Sequence, residues 1–373
     1  MKTLNIMIKP ASSLCNMRCK YCFYADVSNM RSVCSYGLMT EETVNAILEK
    51  VKDDLNEGDK VSFAFQGGEP TLAGLDFFER FVSIVSQWNG VTVSYALQTN
   101  GVLLDDDWCD FLKGHNFLVG ISFDLLPDAH GNVRVDEKGE STYKRVAESI
   151  KLLQKHKVEF NVLCTLTNPI ARHPEKVWKE LKRLGIDYVQ FTPCLADLES
   201  EGSLYALTPK RFASFYTLLF QLWYKDYQKG SYLSVKLFDD VVNLMILGRP
   251  TSCGMNGVCN PQLVIEADGS AYPCDFYCLD QYKLGNLTTH SVSQLLSSPV
   301  AEEFSSRPTD VPSLCKECNY KAFCNGNCPR MRKEICCSNN DGYCGYQDFL
   351  NKCGADFIKL AQSVKPISKN FHK

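Results

Sequence analysis

A chain of 373 residues, 45% hydrophobic and 22% charged, is long enough for two or three domains at about 150 residues each, which excludes a wholly disordered or fibrous protein. A net charge of -3 without a long basic run argues against nucleic acid as a partner. No apolar run approaches the roughly 18 residues of a membrane span, and Met1 to Pro10 lacks a signal-peptide core, so a cytoplasmic protein is expected.

In chain order, short apolar runs alternate with amphipathic ones, the pattern of strand-helix units around a parallel sheet. Strands are predicted at 4–8, 61–65, 91–97, 117–123, 158–166 and 188–192. Helices are predicted at 41–55 behind a Thr40 cap, 75–88, 106–112, 143–156, 174–184, and 209–227 behind Thr208. Six such units fit an α/β fold with a partial (β/α)6 barrel, whose post-strand loops converge on one rim. A composition boundary follows: seven of the 19 cysteines lie in 1–252 and twelve in 253–353. The expected division is therefore a barrel domain at 1–235 and a small loop-rich domain at 236–373, with the edge between 236 and 251. That second part is expected to hold one hairpin, 262–266 with 270–272, and little apolar core, so metal staples are expected to hold it. The tail from residue 364 to 373 is expected to fray.

An odd count of 19 cysteines without a secretory signal favours metal or catalytic thiolates over disulfides. Cys15, Cys19 and Cys22 stand directly after the first strand; structural zinc would want a fourth Cys or His nearby, and no His lies within ninety residues of Cys22. Three cysteines on a four-iron cluster leave one iron open to a small chelating molecule. The motif Cys15-Asn16-Met17-Arg18-Cys19-Lys20-Tyr21-Cys22 resembles that of the radical S-adenosylmethionine (SAM) enzymes. Gln66-Gly67-Gly68-Glu69-Pro70 is similar to the glycine-rich turn of that family, which binds the cofactor's amino group. Glycines at 67 and 68 would let a ligand approach the main chain, and Glu69 would face an ammonium. The resemblance further implies cofactor contacts from Tyr21, Ser122, Arg134 and Leu195. The chain departs from the family after the fourth strand, where Ser-x-Asp-Gly-Pro reads Ser122-Phe123-Asp124-Leu125-Leu126-Pro127.

The second cysteine field includes Cys253, Cys259, Cys274, Cys315, Cys318, Cys324, Cys328 and Cys344, enough for two fully ligated four-iron clusters, with a zinc ribbon as the simpler alternative. The array looks like the SPASM extension of radical enzymes that modify peptides and proteins. That resemblance implies one cluster on Cys253, Cys259, Cys274 and Cys328, nearer the active site, and an outer one on Cys315, Cys318, Cys324 and Cys344. Cys336 and Cys337 compete for the last position. Cys34, Cys109, Cys164, Cys194, Cys278 and Cys353 read as small apolar or incidental thiols.

Lys9-Pro10-Ala11-Ser12-Ser13, Cys22-Phe23-Tyr24, 65–74, Cys253-Gly254-Met255-Asn256-Gly257 and Tyr272-Pro273-Cys274-Asp275-Phe276-Tyr277 resemble the anaerobic sulfatase-maturating enzymes along nearly the whole chain. The resemblance implies three 4Fe-4S clusters, SAM, Asp275 as proton acceptor, and conversion of a Cys or Ser in an extended sulfatase segment to Cα-formylglycine. Gln66 and Gln98 are the expected contacts to that segment. A flavodoxin- or ferredoxin-type donor and a monomeric state are expected. A peptide maturase making a thioether, carbon cross-link or epimer would share every cluster ligand. An iron-sulfur electron carrier would need neither an open iron nor the 67–69 turn.

Overall fold

The structure, a computed structural model, describes residues 1–199, 203–307, 311–337 and 342–364. Six parallel strands, β1 (Thr3–Ile8), β2 (Lys60–Phe65), β3 (Thr92–Thr99), β4 (Leu118–Ser122), β5 (Phe160–Leu166) and β6 (Tyr188–Pro193), lie side by side in chain order. The helices between and after them are α1 (Phe23–Asn29), α2 (Glu41–Asp53), α3 (Leu75–Val85), α4 (Asp106–Gly114), α5 (Pro127–Val133), α6 (Tyr143–Lys155), α7 (Pro174–Arg183) and α8 (Pro209–Tyr227). The six expected units are present, with ends within three residues of those predicted. Two short helices, α1 and α5, were not expected; at seven residues each they are too short for a clear apolar period.

Alternation positions the strands: Leu4, Ile6 and Ile8 of β1 are buried and pair in register with Val61, Phe63 and Phe65 of β2. Phe65 packs edge-on against Phe78 at 4.9 Å and Phe81 at 5.0 Å, sealing α3 to the sheet. Each fully buried phenylalanine contributes about 1.5–3 kcal/mol. Thr40 and Thr208 cap α2 and α8 as expected, accepting from the Thr43 and Arg211 amides at 3.2 and 3.3 Å.

Beyond α8 come β7 (Ser234–Val235), which pairs with β6, and α9 (Lys236–Leu247), so part of the expected domain edge is helical. The expected hairpin is β8 (Leu263–Ile265) with β9 (Ser270–Tyr272), followed by β10 (Gly285–Asn286). β8 pairs parallel with the free edge of β1, Ile6 against Leu263 and Ile8 against Ile265, giving an open ten-stranded sheet that runs from β10 to β7. The portion after Cys253 also shares the barrel's core, contrary to expectation. The C-terminal helix Gly345–Ser363 sets Phe357 4.3 Å from Phe220 of α8 and 6.0 Å from Phe238 of α9. Of the tail expected to fray, residues 365–373 lie outside those described.

Candidate active site

Parallel strands deliver their following loops to one end of the sheet. The loop after β1 carries Cys15, Cys19 and Cys22, and the turn after β2 pins it. The Gly68 amide donates to Ser12 O and the Glu69 amide to Leu14 O, each at 2.8 Å. A Cβ on Gly68 would lie 2.0 Å from the Leu14 carbonyl oxygen, and Gly67 has φ +126°. Gly68 is therefore required for loop-on-loop contact, a different reason from the ligand approach inferred from sequence. Glu69 is 1% exposed. Its carboxylate accepts from the Thr71 amide (3.1 Å), Thr71 Oγ1 (2.6 Å), Thr99 Oγ1 (2.7 Å) and the Asn100 amide (2.7 Å), tying this turn to the end of β3. Burial pushes its pKa up against those bonds.

Asp275 sits just past the hairpin, and Lys9 ends the β1 run. Lys9 donates its backbone N–H to Ile265 O at 2.8 Å, while Lys9 Nζ reaches Asp275 Oδ1 at 2.5 Å across 266 residues. The ammonium also rests 3.4 Å from the Tyr24 ring centroid. Burial disfavours that charge, but Asp275 above all, with Tyr24, Cys278 and Glu266, holds the Lys9 pKa above the usual lysine range. Behind it, Glu266 is fully buried and accepts from the Tyr24 hydroxyl, from Arg31 Nη1 at 2.8 Å and from Ser12 Oγ at 2.9 Å. The hairpin and the cysteine loop are thus held by one buried charged cluster.

Three cavities sort the cysteines. The first is lined by Cys15, Cys19 and Cys22 together with Tyr21, Gln66, Gly67, Gly68, Glu69, Gln98, Ser122, Arg134, Leu195 and Asp275, so every residue expected for cofactor, peptide and proton transfer faces one space. The second brings together Cys253, Cys259, Cys274 and Cys328, again with Asp275. The third is lined by Cys315, Cys318, Cys324 and Cys344; Cys336 is buried, its Sγ 4.0 Å from that of Cys324, and neither it nor Cys337 lines the space. Burial pushes the thiols of Cys15, Cys274 and Cys315 up to about 12, so ionising them requires added positive charge, which iron supplies. Among the described residues no three Cys, His, Asp or Glu converge tightly enough for a single metal ion, whereas the thiolates of a cube stand apart around it. The donor sets fit four-iron clusters.

A radical SAM superfamily model matches residues 10–168, and a SPASM iron-sulfur cluster-binding domain model matches residues 253–319. The cysteine-type anaerobic sulfatase-maturating enzyme of Clostridium perfringens strain ATCC 13124 is 40% identical over 98% of this chain and 100% of its own length. That of Clostridium novyi is 40% identical over 89% and 90%. The solved structure of native anSMEcpe with bound AdoMet and Cp18Cys peptide superposes with a TM-score of 0.90 at 39% identity, covering 97% of this chain and 100% of that one. The chain belongs to the anaerobic sulfatase-maturating enzymes.

Within the anaerobic sulfatase-maturating enzymes, the Ser122-to-Pro127 departure needed a structural answer. Leu125 adopts φ +61°, the left-handed conformation a glycine would take, with its side chain fully buried. Leu126 is extended and immediately precedes α5, and Arg134 still lines the first cavity. The Tyr21 hydroxyl donates to Asp124 Oδ2 and accepts from Arg134 Nη1 at 3.0 Å. Asp124 Oδ1 takes the Thr165 amide at 3.0 Å. Leu125→Gly relieves about 1–2 kcal/mol of strain but removes a buried side chain worth about 2–5 kcal/mol, so a net loss of roughly 0–4 kcal/mol, centred near 2, is expected. Anaerobic thermal melting checks this; a higher melting temperature would mean that strain dominates.

His130 braces the same loop. Its Nδ1 accepts from the Asp124 amide at 3.2 Å, which assigns the proton to Nε2, 3.0 Å from Thr142 Oγ1. Thr142 Oγ1 in turn donates to the Arg134 carbonyl at 2.8 Å. Burial, with the Arg134 cation, pushes the imidazole down to about 3. Between about 6.5 and that value the unfolded chain binds a proton that the folded one does not, so stability falls with falling pH by about 1.4 kcal/mol per unit. From pH 6.5 to 5.0, wild type is expected to lose roughly 1.5–2 kcal/mol more than His130→Gln. Equal losses in melting experiments at both pH values would show that His130 does not titrate this way.

Lys9, Tyr24 and Asp124, although they stand in the quoted motifs, and Arg31, Glu266 and Asn100 were assigned no role from sequence. Asn100 follows β3 directly; its Nδ2 lies 2.8 Å from Asn16 Oδ1 and 3.9 Å from Cys15 Sγ, a position that a search of strand ends would have flagged. Among the described residues no helix is long and apolar enough to cross a membrane.

Proposed function

We propose that this chain converts a cysteine in an extended sulfatase segment to Cα-formylglycine. The observation that carries the reading is the position of Asp275, which lines both the cavity of Cys15, Cys19 and Cys22 and that of Cys253, Cys259, Cys274 and Cys328. The cysteine choice is supported by two cysteine-type relatives at 40% identity, and the peptide substrate by the peptide bound in anSMEcpe. Cys15, Cys19 and Cys22 hold the first cluster, and Tyr21, Gly67, Gly68, Glu69, Ser122, Arg134 and Leu195 hold SAM. When bound, these groups supply a 5'-deoxyadenosyl radical that removes hydrogen from the substrate Cβ. Asp275 takes the thiol proton, Lys9 holds its carboxylate in place, and Gln66 and Gln98 hold the peptide backbone. Loss of hydrogen atom, proton and one electron leaves a thioaldehyde, and water replaces its sulfur with oxygen.

Residues 1–235 carry the radical chemistry, and 236–373 the electron path through inner ligands Cys253, Cys259, Cys274 and Cys328 and outer ligands Cys315, Cys318, Cys324 and Cys344. The enzyme works as a cytoplasmic monomer supplied by a flavodoxin- or ferredoxin-type donor. Anaerobic reconstitution and incubation with a cysteine-containing sulfatase peptide tests the reading. Loss of two hydrogens with oxygen in place of sulfur is expected; loss of two hydrogens alone, persisting in water, would instead favour a cross-link. The Cys15→Ala/Cys19→Ala/Cys22→Ala variant is expected to form no 5'-deoxyadenosine while keeping the iron of the other two sites.

A further inference from the structure

Each of the three cysteine sites has a side-chain donor aimed at a sulfur, and the donors differ in charge. At the first site it is the neutral amide of Asn100, 3.9 Å from Cys15 Sγ. At the outer site it is Gln347, whose Nε2 lies 3.4 Å from Cys318 Sγ and whose backbone N–H lies 3.4 Å from Cys344 Sγ. The inner site has a full cation within reach of a ligand sulfur, Arg307 Nη2, 3.8 Å from Cys259 Sγ, whereas the Arg134 cation of the first site bonds to Tyr21. Arg307 directly follows the helix Pro299–Ser306 and belongs to none of the cysteine motifs.

Its guanidinium is clamped rather than free. It lies 3.9 Å from the Phe304 ring centroid and 4.5 Å from that of Tyr277, and these two rings pack edge to face at 5.7 Å. Arginine stays charged at any working pH, and a planar guanidinium keeps its orientation against aromatic faces. Among the described residues it makes no ion pair. The same cavity is lined by Arg307, Phe304, Tyr277, Asp275 and the four inner cysteines. Reducing a thiolate-ligated cluster adds one negative charge, and a fixed cation beside a ligand sulfur favours that state more than an amide dipole does.

We propose that Arg307 makes the inner cluster a stronger electron acceptor than the outer one, so that the electron released at the substrate beside Asp275 is drawn there first. In that step the substrate, already without its Cβ hydrogen atom and its thiol proton, gives up one electron and becomes the thioaldehyde. The inner cluster is reduced by that one electron. Arg307 does not line the first cavity, so its role is to tune and position. The inference rests on the proposed assignment of Cys253, Cys259, Cys274 and Cys328 as inner-cluster ligands.

The test is an anaerobic potentiometric titration followed by electron paramagnetic resonance, in the Cys15→Ala/Cys19→Ala/Cys22→Ala background, where only the two auxiliary clusters report. Arg307→Gln is expected to lower one of the two midpoints by at least tenfold in electron affinity, about 59 mV for a one-electron couple, and leave the other in place. Arg307→Lys is expected to keep most of the parent value. Arg307→Gln titrating like its parent, both midpoints moving together, or Arg307→Lys falling as far as Arg307→Gln would overturn the proposal. If Arg307→Gln sheds iron, Phe304→Leu carries the test by loosening the clamp while keeping the charge; a smaller shift in the same direction is expected, and an unmoved midpoint overturns it. A parent with fewer than about eight auxiliary irons refutes the ligand assignment itself, whereas a full complement with unmoved midpoints refutes the role of Arg307 alone.

Discussion

Asp275→Asn is expected to keep its iron and still cleave SAM, while formylglycine formation falls by about 10²–10⁴-fold, the range for loss of a positioned general base. The substitution has a second effect that the ion pair makes unavoidable. Lys9 is 1% exposed and its ammonium pairs with Asp275, so the variant leaves a buried cation without its countercharge. Breaking one side of such a pair costs about 3–5 kcal/mol. Lost stability and lost chemistry are separable because Lys9→Met/Asp275→Asn removes both charges. That double variant is expected to regain most of the melting temperature and none of the product. Peptide mass spectrometry and 5'-deoxyadenosine analysis on the same samples check this, and full product formation by Asp275→Asn would refute the proton-acceptor role.

Glu266→Gln is expected to have the largest effect on stability. The side chains of Glu266 and Arg31 are both 0% exposed and meet at 2.8 Å, and the same carboxylate accepts from Ser12 and Tyr24. Neutralising it strands the Arg31 charge at a cost of about 3–5 kcal/mol. Because Ser12 and Tyr24 flank the three-cysteine motif, weaker iron loading at the first site is expected as well. Arg31→Met/Glu266→Gln replaces the pair with an uncharged one and is expected to recover most of the melting temperature. If Glu266→Gln melts within about 1 kcal/mol of wild type, the buried cluster does not hold the hairpin to the cysteine loop.

Local patterns made much of this protein legible. The six strand-helix units follow from period-2 and period-3.6 burial, the caps at Thr40 and Thr208 from their hydroxyls, and the three-thiol motif from spacing within eight residues. The barrel residues expected to share the first cavity do so because each lies on or shortly after a strand that ends at the same rim, or in the loop that returns from it, whereas Asp275 arrives behind the antiparallel strand β9.

The remainder was decided by contacts between distant parts of the chain, which no local pattern encodes. Lys9 reads as a polar residue at a strand end until β8 pairs beside β1 and brings Asp275 to it across 266 residues. Leu125 reads as a break in the glycine turn, yet its buried side chain holds the left-handed backbone that glycine would have adopted freely. Arg307 stands in none of the cysteine motifs, and only the fold brings two aromatic rings that fix it against Cys259. Sequence by itself determined where the strands and helices run and which residues offer thiolate ligands, because ligand type and strand period are local properties. Only the tertiary structure decided which charges face one another, because an ion's energy depends on burial and on partners that the fold alone brings near.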